Sequence, residues 1–393
     1  MKKTLSILSL LILLLIFLNF PLKKESKEKI WKGKVEIING EKIINNPSEP
    51  LYGEIKLDLE EVLSLGAMRD ENYFFFRVSD FEVDKHGNIF ILDSGNHRVQ
   101  IFDSQGKYIE TIGRKGQGPT DFENPYQIEI DNSGNIYVLD SSRILKIFQY
   151  DGKLIKTINL KKFYDSFSLD IRGNIIARLI ENDPKTLDTL QKLIKINQRG
   201  DILKSYLESR KKRMILSGED KLFFYFPQID NDIIYYLSRN GYLYCGRNTK
   251  YEIFVFDEND NIIYKIRMKE KPSHLTNKEK NELANRTYIK YPLNIRNEIK
   301  NLLPDYKPFF KAILADNRNW LFVFKKYTLR EDEPFSVDIF DSNGRYLYKT
   351  RLKWIPKIIE NNYFYILTYG GEGDTILKQF KAINFPIKNK SHS

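Results

Sequence analysis

The chain has 393 residues, enough for two average domains or one large repeat domain. Hydrophobic residues make up 41% of it and aromatic residues 13%, which excludes a disordered chain. Its net charge of +11 comes from Lys and Arg spread along the whole sequence without a nucleic-acid recognition motif, so no nucleic acid is expected as a partner. The single cysteine, Cys245, excludes an intramolecular disulfide.

The N-terminus predicts export. Thr4–Leu22 carries no charge and is rich in Leu and Ile, close to the ~20 residues that span a bilayer. No alanine precedes Ala67, which favours an uncleaved signal-anchor over a cleaved signal peptide. Lysines at positions 23–29 would prefer the cytoplasm, whereas the short preceding tail is typical of a signal. We expect a cell-envelope protein with its main domain outside the cytoplasm, periplasmic or extracellular.

The rest of the chain divides into three parts. Residues 23–50 are rich in charge and are expected to form a stalk, with one hairpin around Asn39-Gly40. Residues 51–385 form the predicted main domain, which includes a helical insertion at 272–304. Residues 386–393 form a basic tail.

The main domain contains a block that occurs twice, 47 residues apart. Phe81–Gly113 and Gln127–Asn159 match at several Asp, Gly and Asn positions. Each block has four short runs of alternating or β-branched apolar residues, separated by turn signals. This is the pattern of a four-stranded antiparallel blade, and repeats of this length are typical of a propeller.

Turn signals give the number of blades. An Asp-x-x-Gly-Asn motif, in which Gly adopts the φ > 0 conformation of a tight hairpin, marks the turn between the first two strands. It is found at Asp84–Asn88, Asp131–Asn135 and Asp170–Asn174, and Asp316–Trp320 carries Asn in place of Gly. Turns between strands three and four are found at Asp103–Lys107, Asp151–Lys153, Gln198–Asp201, Asp257–Asn261 and Asp341–Arg345. These five turns predict five complete blades.

A sixth blade is predicted to take its fourth strand from the N-terminal side. Its other strands are expected at Lys357–Ile359, Tyr363–Thr368 and Thr375–Ile383. Leu57–Gly66 resembles the strand-four segment Lys107–Gly113, and each of the two glycines lies 18 residues before a repeated Asp. The sequence therefore predicts an all-β fold: a six-bladed β-propeller of four-stranded antiparallel blades, closed where Leu57–Leu65 pairs with Ile376–Ile383.

Two segments do not fit the blades. Pro272–Pro304 is predicted to be helical, because Thr276 and Glu279 form a capping box and apolar residues recur at helical spacing before Pro304. We expect it to lie over one face as a lid or buttress. Glu208–Asp232 is expected to be an extended hairpin or a loop between the third and fourth blades.

The string Asp93–Phe102, followed by Gly113–Pro119 and Phe122–Pro125, resembles the NHL repeat. More broadly, the chain is similar to the exported six-bladed NHL-type β-propeller proteins of bacteria. The match is specific in the first two blades and degenerate afterwards, and Ser141–Arg143 is one residue shorter than the corresponding stretch of the best repeat. The resemblance implies an architecture and a binding face, since members of that family include scaffolds for proteins, nucleic acid and carbohydrate and a minority of metal-dependent lyases.

In a propeller, the turn between strands two and three and the connection to the next blade open on the same face. Seven residues of these loops are candidates for a cationic binding rim: Asn96, His97, Arg98, Arg114, Lys115, Gln117 and Arg143. The glycines at 113, 116 and 118 are expected to turn backbone amides outward as an anion cradle. The alternative is that Asp93 pairs with Arg98 inside the blade and the glycine-rich loop is only a turn. Phe75 is expected in the core because its position matches Phe122.

No catalytic residue, metal ligand or cofactor is predicted, because no two of the four histidines share metal-ligand spacing. The sequence predicts an exported, membrane-tethered propeller, a monomer, that binds a protein, peptide or glycan through one face. Two alternatives remain open. One is a metal-dependent lyase or hydrolase with its site at the channel mouth, and the other is a purely structural module of a cell-envelope assembly.

Overall fold

Antiparallel strands dominate the computed structural model, as the aromatic and β-branched composition predicts. The structure describes residues 29–66, 70–141, 143–186, 188–211, 214–217, 222–225, 231–287, 289–325, 333–370 and 374–386. The chain divides into two units, Met1–Trp31 and Lys32–Ser393. The predicted membrane segment 4–22 and residues 387–393 of the tail lie outside the described residues.

The strands and helices follow one another along the second unit. The strands are β1 (Lys34–Ile38), β2 (Glu41–Asn46), β3 (Leu59–Leu65), β4 (Val78–Val83), β5 (Ile89–Asp93), β6 (Arg98–Phe102), β7 (Tyr108–Ile112), β8 (Pro125–Ile130), β9 (Ile136–Asp140), β10 (Ile144–Phe148), β11 (Leu154–Asn159), β12 (Tyr164–Leu169), β13 (Ile175–Asn182), β14 (Thr189–Ile196), β15 (Ile202–Lys211), β16 (Met214–Ser217), β17 (Leu222–Tyr225), β18 (Ile233–Leu237), β19 (Leu243–Arg247), β20 (Glu252–Phe256), β21 (Ile262–Met268), β22 (Ala312–Ala315), β23 (Leu321–Lys325), β24 (Phe335–Phe340), β25 (Tyr346–Leu352), β26 (Ile358–Glu360), β27 (Tyr363–Tyr369) and β28 (Thr375–Ala382). The helices, both between β21 and β22, are α1 (Asn277–Thr287) and α2 (Leu293–Leu302).

Six blades of four antiparallel strands are present, as predicted. Blades 1, 2, 3 and 5 are β4–β7, β8–β11, β12–β15 and β22–β25, and blade 4 contains β18–β21. Blade 6 has the order β26-β27-β28-β3, so the N-terminal strand completes it. Leu65 pairs with Leu377 and Leu59 with Ala382, which confirms the predicted closure.

The predicted turns are formed by the residues that the motif requires. In the first blade the Gly87 amide donates to the Asp84 carbonyl at 3.1 Å, and Gly87 has a φ of 86°. Asn319 replaces Gly in blade 5 and adopts a φ of 61°, because Asn tolerates the left-handed region better than most residues. In blade 2 the turn between strands three and four is a full one, Gln149–Lys153, rather than the shorter Asp151–Lys153.

The core lies between adjacent blades. Phe90 and Leu92 of blade 1 pack with Ile136 and Val138 of blade 2. Blade 6 packs on blade 1 in the same way, because Leu377 shares a buried cluster with Phe81 and Phe75. Phe75 is therefore a core residue, as its match to Phe122 predicts. These sheet-on-sheet contacts fix the inner strand of every blade around a central channel.

The segment expected to be a stalk is partly built into the propeller. The hairpin around Asn39-Gly40 is present as β1 and β2, and β2 pairs in parallel with β21, so the blade 4 sheet has six strands. Ile43 and Ile44 are buried there. The chain then follows the outer strand of blade 5, where the Leu51 amide donates to the Tyr346 carbonyl at 3.0 Å. The β1–β2 hairpin thus pairs with blade 4 although it precedes the predicted boundary at residue 50.

The two remaining segments contain the predicted helices and hairpin, and a position of the helices over one face stays a prediction. Thr276 and Glu279 make the predicted capping box: the Thr276 amide donates to Glu279 Oε2 at 2.9 Å and the Glu279 amide to Thr276 Oγ1 at 3.3 Å. The ends of this insertion are joined, since the Leu275 amide donates to the Asp305 carbonyl at 2.8 Å. The segment after blade 3 contains the hairpin β16–β17, although β15 extends to Lys211 and takes up its first residues.

Candidate functional site

The central channel contains a cavity of about 750 Å³. Residues from the inner strands of all six blades line it, one from each blade being Glu82, Glu129, Ser168, Tyr236, Ile313 and Ile358. The lining continues onto the turns between the first two strands of blades 1, 2 and 3. The cavity therefore opens on the face that carries those turns.

Alternation along the inner strands places polar side chains in the channel. In β4, Phe81 and Val83 are buried between blades, and the intervening Glu82 lines the cavity. In β8, Ile128 is buried and its neighbours Gln127 and Glu129 line the cavity. The repeat thus delivers one carboxylate per blade to the same level of the channel in blades 1 and 2.

Lys357 joins blade 6 to blade 1 at the channel wall. Its ammonium lies 2.6 Å from Asp80 Oδ1 and 2.7 Å from Glu82 Oε1. Burial disfavours the charged amine, but the carboxylates of Asp80, Glu82 and Glu129 outweigh it and raise the pKa of Lys357. The lysine is therefore a fixed cation among three acidic side chains.

Glu129 is the carboxyl group of this cluster that forms no ion pair with any of the residues that the structure describes. Among the residues that the structure describes, its hydrogen-bond partner is the Ser168 hydroxyl, which donates to Oε1 at 3.4 Å. Burial, followed by repulsion from Glu82, holds the pKa of Glu129 well above its ordinary value. Glu129 thus favours the protonated form more than an exposed glutamate does.

Blades 3 and 4 contribute hydroxyl groups and an aromatic wall. The Tyr235 hydroxyl lies 3.2 Å from Ser166 Oγ, and burial raises the pKa of the Tyr235 and Tyr236 hydroxyls, so both remain neutral. Arg178 also lines this wall, and its Nε donates to Asp165 at 2.8 and 3.0 Å. Its charge is therefore matched by a neighbouring carboxylate.

Arg239 extends across the mouth of the channel. It lies in the first turn of blade 4, and its guanidinium donates to the carbonyls of Val83 and Asp84 in blade 1, the latter at 3.3 Å. It also lies 2.7 Å from Glu360 in blade 6. Blades 1 and 4 are opposite in a ring of six, so one side chain connects opposite walls.

The predicted rim lies at the other end of the blades. The Gly95 amide donates to the Arg77 carbonyl just before β4 begins, whereas the cavity opens beyond the end of β4. Six residues of strand separate the two ends by roughly 17 Å. None of the seven rim candidates is among the residues that line the cavity.

Two of these rim candidates are engaged inside the first blade. Asn96 Nδ2 donates to Asp93 Oδ2 at 2.7 Å. Arg98 Nε donates to the same oxygen at 3.2 Å, and its Nη2 donates to the carbonyls of Glu71 and Phe74 at 3.0 Å. The alternative interpretation, in which Arg98 is the internal partner of Asp93, is therefore the one that the structure supports. His97, between them, adopts a φ of 56° in the tight turn.

The other four candidates lie on exposed loops of that face: Arg114, Lys115, Gln117 and Arg143. Two of the three glycines expected to form an anion cradle have their amides bound within the protein: the Gly116 amide donates to the Phe122 carbonyl and the Gly118 amide to Asp121 Oδ2. Arg114 pairs with the same Asp121 at 3.1 Å. The Asp121 carboxylate therefore occupies the position at which an anion was expected.

Two further kinds of site are a metal centre and a membrane-spanning helix. Within the described ranges, no group of three or more His, Cys, Asp or Glu side chains could hold a metal ion. None of the helices in the described part of the chain has both the length and the apolar character needed to cross a bilayer.

The family is decided by comparison with known proteins. A family model, DUF5128, described as a 6-bladed beta-propeller, matches residues 70–302. The chain belongs to this family. No curated protein matches this DUF5128 chain in sequence. The NHL character of its repeats stays a prediction.

This DUF5128 protein is similar to several solved structures, of which the first below has a TM-score above 0.5 and shares the fold. One is a protein from Bacteroides fragilis NCTC 9343 that is described as exported. It is 13% identical to this chain with a TM-score of 0.53, and the match covers 86% of this chain and 99% of that one. A member of the DUF4221 family from Bacteroides vulgatus ATCC 8482 is 14% identical, with coverages of 83% and 98% and a TM-score of 0.48. A virginiamycin B lyase from Staphylococcus aureus is 11% identical, with coverages of 85% and 90%. Its TM-score of 0.36 is too low to carry an argument about activity.

Sequence reasoning missed the channel residues of the DUF5128 chain, although part of the signal was available. Glu82 and Glu129 lie 47 residues apart, at equivalent positions of the repeat. A charged residue between two apolar ones in a strand that must face the axis indicates a channel lining. Arg239 and Lys357 gave no comparable signal, because their partners are distant in sequence and belong to other blades.

Proposed function

We propose that this protein is a binding module that holds a small polar ligand, an oligosaccharide or a short peptide, in its central channel. The observation that carries the proposal is the cavity of about 750 Å³, whose polar side chains converge from several blades. Ligand sites in proteins have volumes of about 300–1,000 Å³ and combine an apolar wall with a few polar groups. Here Tyr236, Ile313 and Ile358 provide the wall, and Glu129 and Ser168 provide the polar groups.

The proposed binding face replaces the predicted rim. Binding of labelled protein to arrays of oligosaccharides and tripeptides tests the choice with a matched pair of tryptophan variants. Ser168→Trp fills the channel and is expected to abolish binding, whereas Gln117→Trp, on an exposed loop of the other face, is expected to leave it unchanged. If Gln117→Trp lost binding and Ser168→Trp kept it, the ligand would bind at the rim and not in the channel.

The proposed location is outside the cytoplasm, with the N-terminus as a membrane tether. The uncharged stretch Thr4–Leu22 supports both parts of this proposal. The Bacteroides fragilis protein of the same fold is assigned to the exported class, which agrees with it. Mass spectrometry of the membrane-extracted protein is expected to find the N-terminal segment intact. A mature chain that begins beyond Leu22 would contradict the tether.

A further inference from the structure

Acidic groups outnumber basic groups in the cluster around Lys357. Lys357 contacts Asp80 and Glu82, and Glu129 faces the same space from the next blade, so three acidic groups share one ammonium. The second oxygen of Asp80 accepts the Ile128 amide at 3.0 Å, which fixes this carboxylate in the wall. The interior of the channel therefore has an excess of acidic groups, although the whole chain carries a net charge of +11.

The other cations of the lining do not correct this excess. Arg178 is matched by Asp165, and its Nη1 donates to the Ile233 carbonyl at 2.8 Å. Lys85 and Lys311 are exposed at the ends of the cavity, and the Lys85 ammonium donates to the Asn132 carbonyl at 3.1 Å. Neither lysine forms an ion pair with Glu129 within the part of the chain that the structure describes.

The mouth of the channel already holds a cation from the protein itself. The guanidinium of Arg239 binds two backbone carbonyls of blade 1 and the carboxylate of Glu360. Val83 follows Glu82 in β4, so this contact lies next to the acidic cluster. Oxygen acceptors from two blades thus converge on one guanidinium, which indicates that this end of the channel can bind a cationic group.

We propose that the channel cavity takes a ligand that carries a primary ammonium group, with Glu129 as its counter-charge. The inference rests on the proposed function and names the class of its ligand. The Ser168 and Tyr235 hydroxyls are placed to bind the polar atoms around the amine, and the Tyr236 ring provides an apolar face. Amino sugars and lysine side chains both supply this chemistry.

Binding of such a ligand depends on the ionisation of Glu129. The groups that face this carboxyl are Glu82 and Asp80 from β4, Lys357 before β26, Ser168 from β12, and Tyr235 and Tyr236 from β18. The pKa of Glu129 is raised in the free protein, and the ligand requires the carboxylate. Affinity for the ammonium ligand is therefore expected to rise as the pH rises through that pKa, up to the pH at which the amine loses its proton.

Titration calorimetry of the full chain in a polyoxyethylene detergent tests the inference with pairs of probes. The glucosamine trimer is compared with the N-acetylglucosamine trimer, and trilysine with its ε-acetylated form, because each pair differs in charge on the same backbone. A galacturonic acid trimer provides the opposite charge. We expect at least one ammonium probe to bind at least tenfold more tightly than its acetylated partner, and which pair responds distinguishes the two sources.

Glu129→Gln should remove this preference and its pH dependence, and Glu123→Gln, at an exposed glutamate on the other face, should retain both. Thermal denaturation of both variants separates loss of the site from loss of the fold. Equal binding of charged and acetylated probes, tighter binding of the acidic trimer, or no binding of either ammonium probe would overturn the inference. The proposed function fails separately, if ligands bind and Ser168→Trp leaves their binding intact.

Discussion

Asp93 shows how one buried carboxylate organises the face on which the sequence places a rim. Its side chain is fully buried and accepts the amides of Phe76 and Arg77 at 3.2 and 3.3 Å. The Asn96 and Arg98 side chains also donate hydrogen bonds to it. Asn96 and Arg98 thereby satisfy a charge inside the protein, and these two side chains are not left available for a ligand.

Arg98→Ala is expected to lower the free energy of unfolding by about 2 kcal/mol. The change leaves the buried Asp93 without its cationic partner while the amide donors remain. Arg114→Ala is the control, since that side chain is 84% exposed and its loss should change stability by no more than about 0.5 kcal/mol. Denaturant unfolding measures both. Equal stability of the Arg98 and Arg114 variants would contradict the structural role of Arg98.

At the scale of the element, the turns could be predicted because their chemistry is local. Asp84 binds the amides of His86 and Asn88 through one carboxylate oxygen, and the same pattern recurs at Asp131 and Asp170. A short motif carries all of the required groups, so the sequence is sufficient. The capping box of α1 was predictable for the same reason.

The β1–β2 hairpin shows where local reasoning ends. The turn at Asn39-Gly40 follows from two residues that both adopt positive φ, at 50° and 81°. Its docking does not, because β2 pairs with β21 more than two hundred residues away. Asn46 fixes the hairpin between blades: its Nδ2 donates to the Gly344 carbonyl at 2.9 Å and its Oδ1 accepts the Tyr346 amide at 2.8 Å. No pattern in residues 23–50 identifies these partners.

The same limit applies to the candidate site. The repeat predicts that Glu82 and Glu129 occupy equivalent positions, because one register is used in both blades. The cluster itself requires Lys357 from the last blade and Arg239 from the opposite one, and these approach only after the ring has closed. Such a site forms only in the closed ring, so a sequence analysis that treats each blade separately predicts a site on the loops instead.

At the scale of the whole molecule, the N-terminal segment closes the ring and covers successive blade edges. It adds two strands to blade 4, follows β25 of blade 5 and forms the outer strand of blade 6. The 18-residue offsets from Gly66 and Gly113 predicted the last of these contacts, since an unpaired edge needs a partner. Closure also brings β28 to blade 1, where the Val78 amide lies 3.4 Å from Thr375 Oγ1.

Deletion of residues 1–66 is expected to prevent stable folding. It removes the β3 partner of β28 and the buried Leu57 and Leu65, each worth about 2 kcal/mol, from a fold whose net stability is of the order of 5–15 kcal/mol. Deletion of residues 1–33 ends before β1 and should be tolerated, and deletion of residues 1–50 should give an intermediate loss because Ile43 and Ile44 leave the edge of β21. Size-exclusion chromatography and thermal denaturation distinguish the three variants. A synthetic peptide of residues 51–66 should restore a monomer to the variant that lacks residues 1–66, whereas a scrambled peptide should not. A monomeric, fully stable protein without residues 1–66 would show that β3 is not needed for closure.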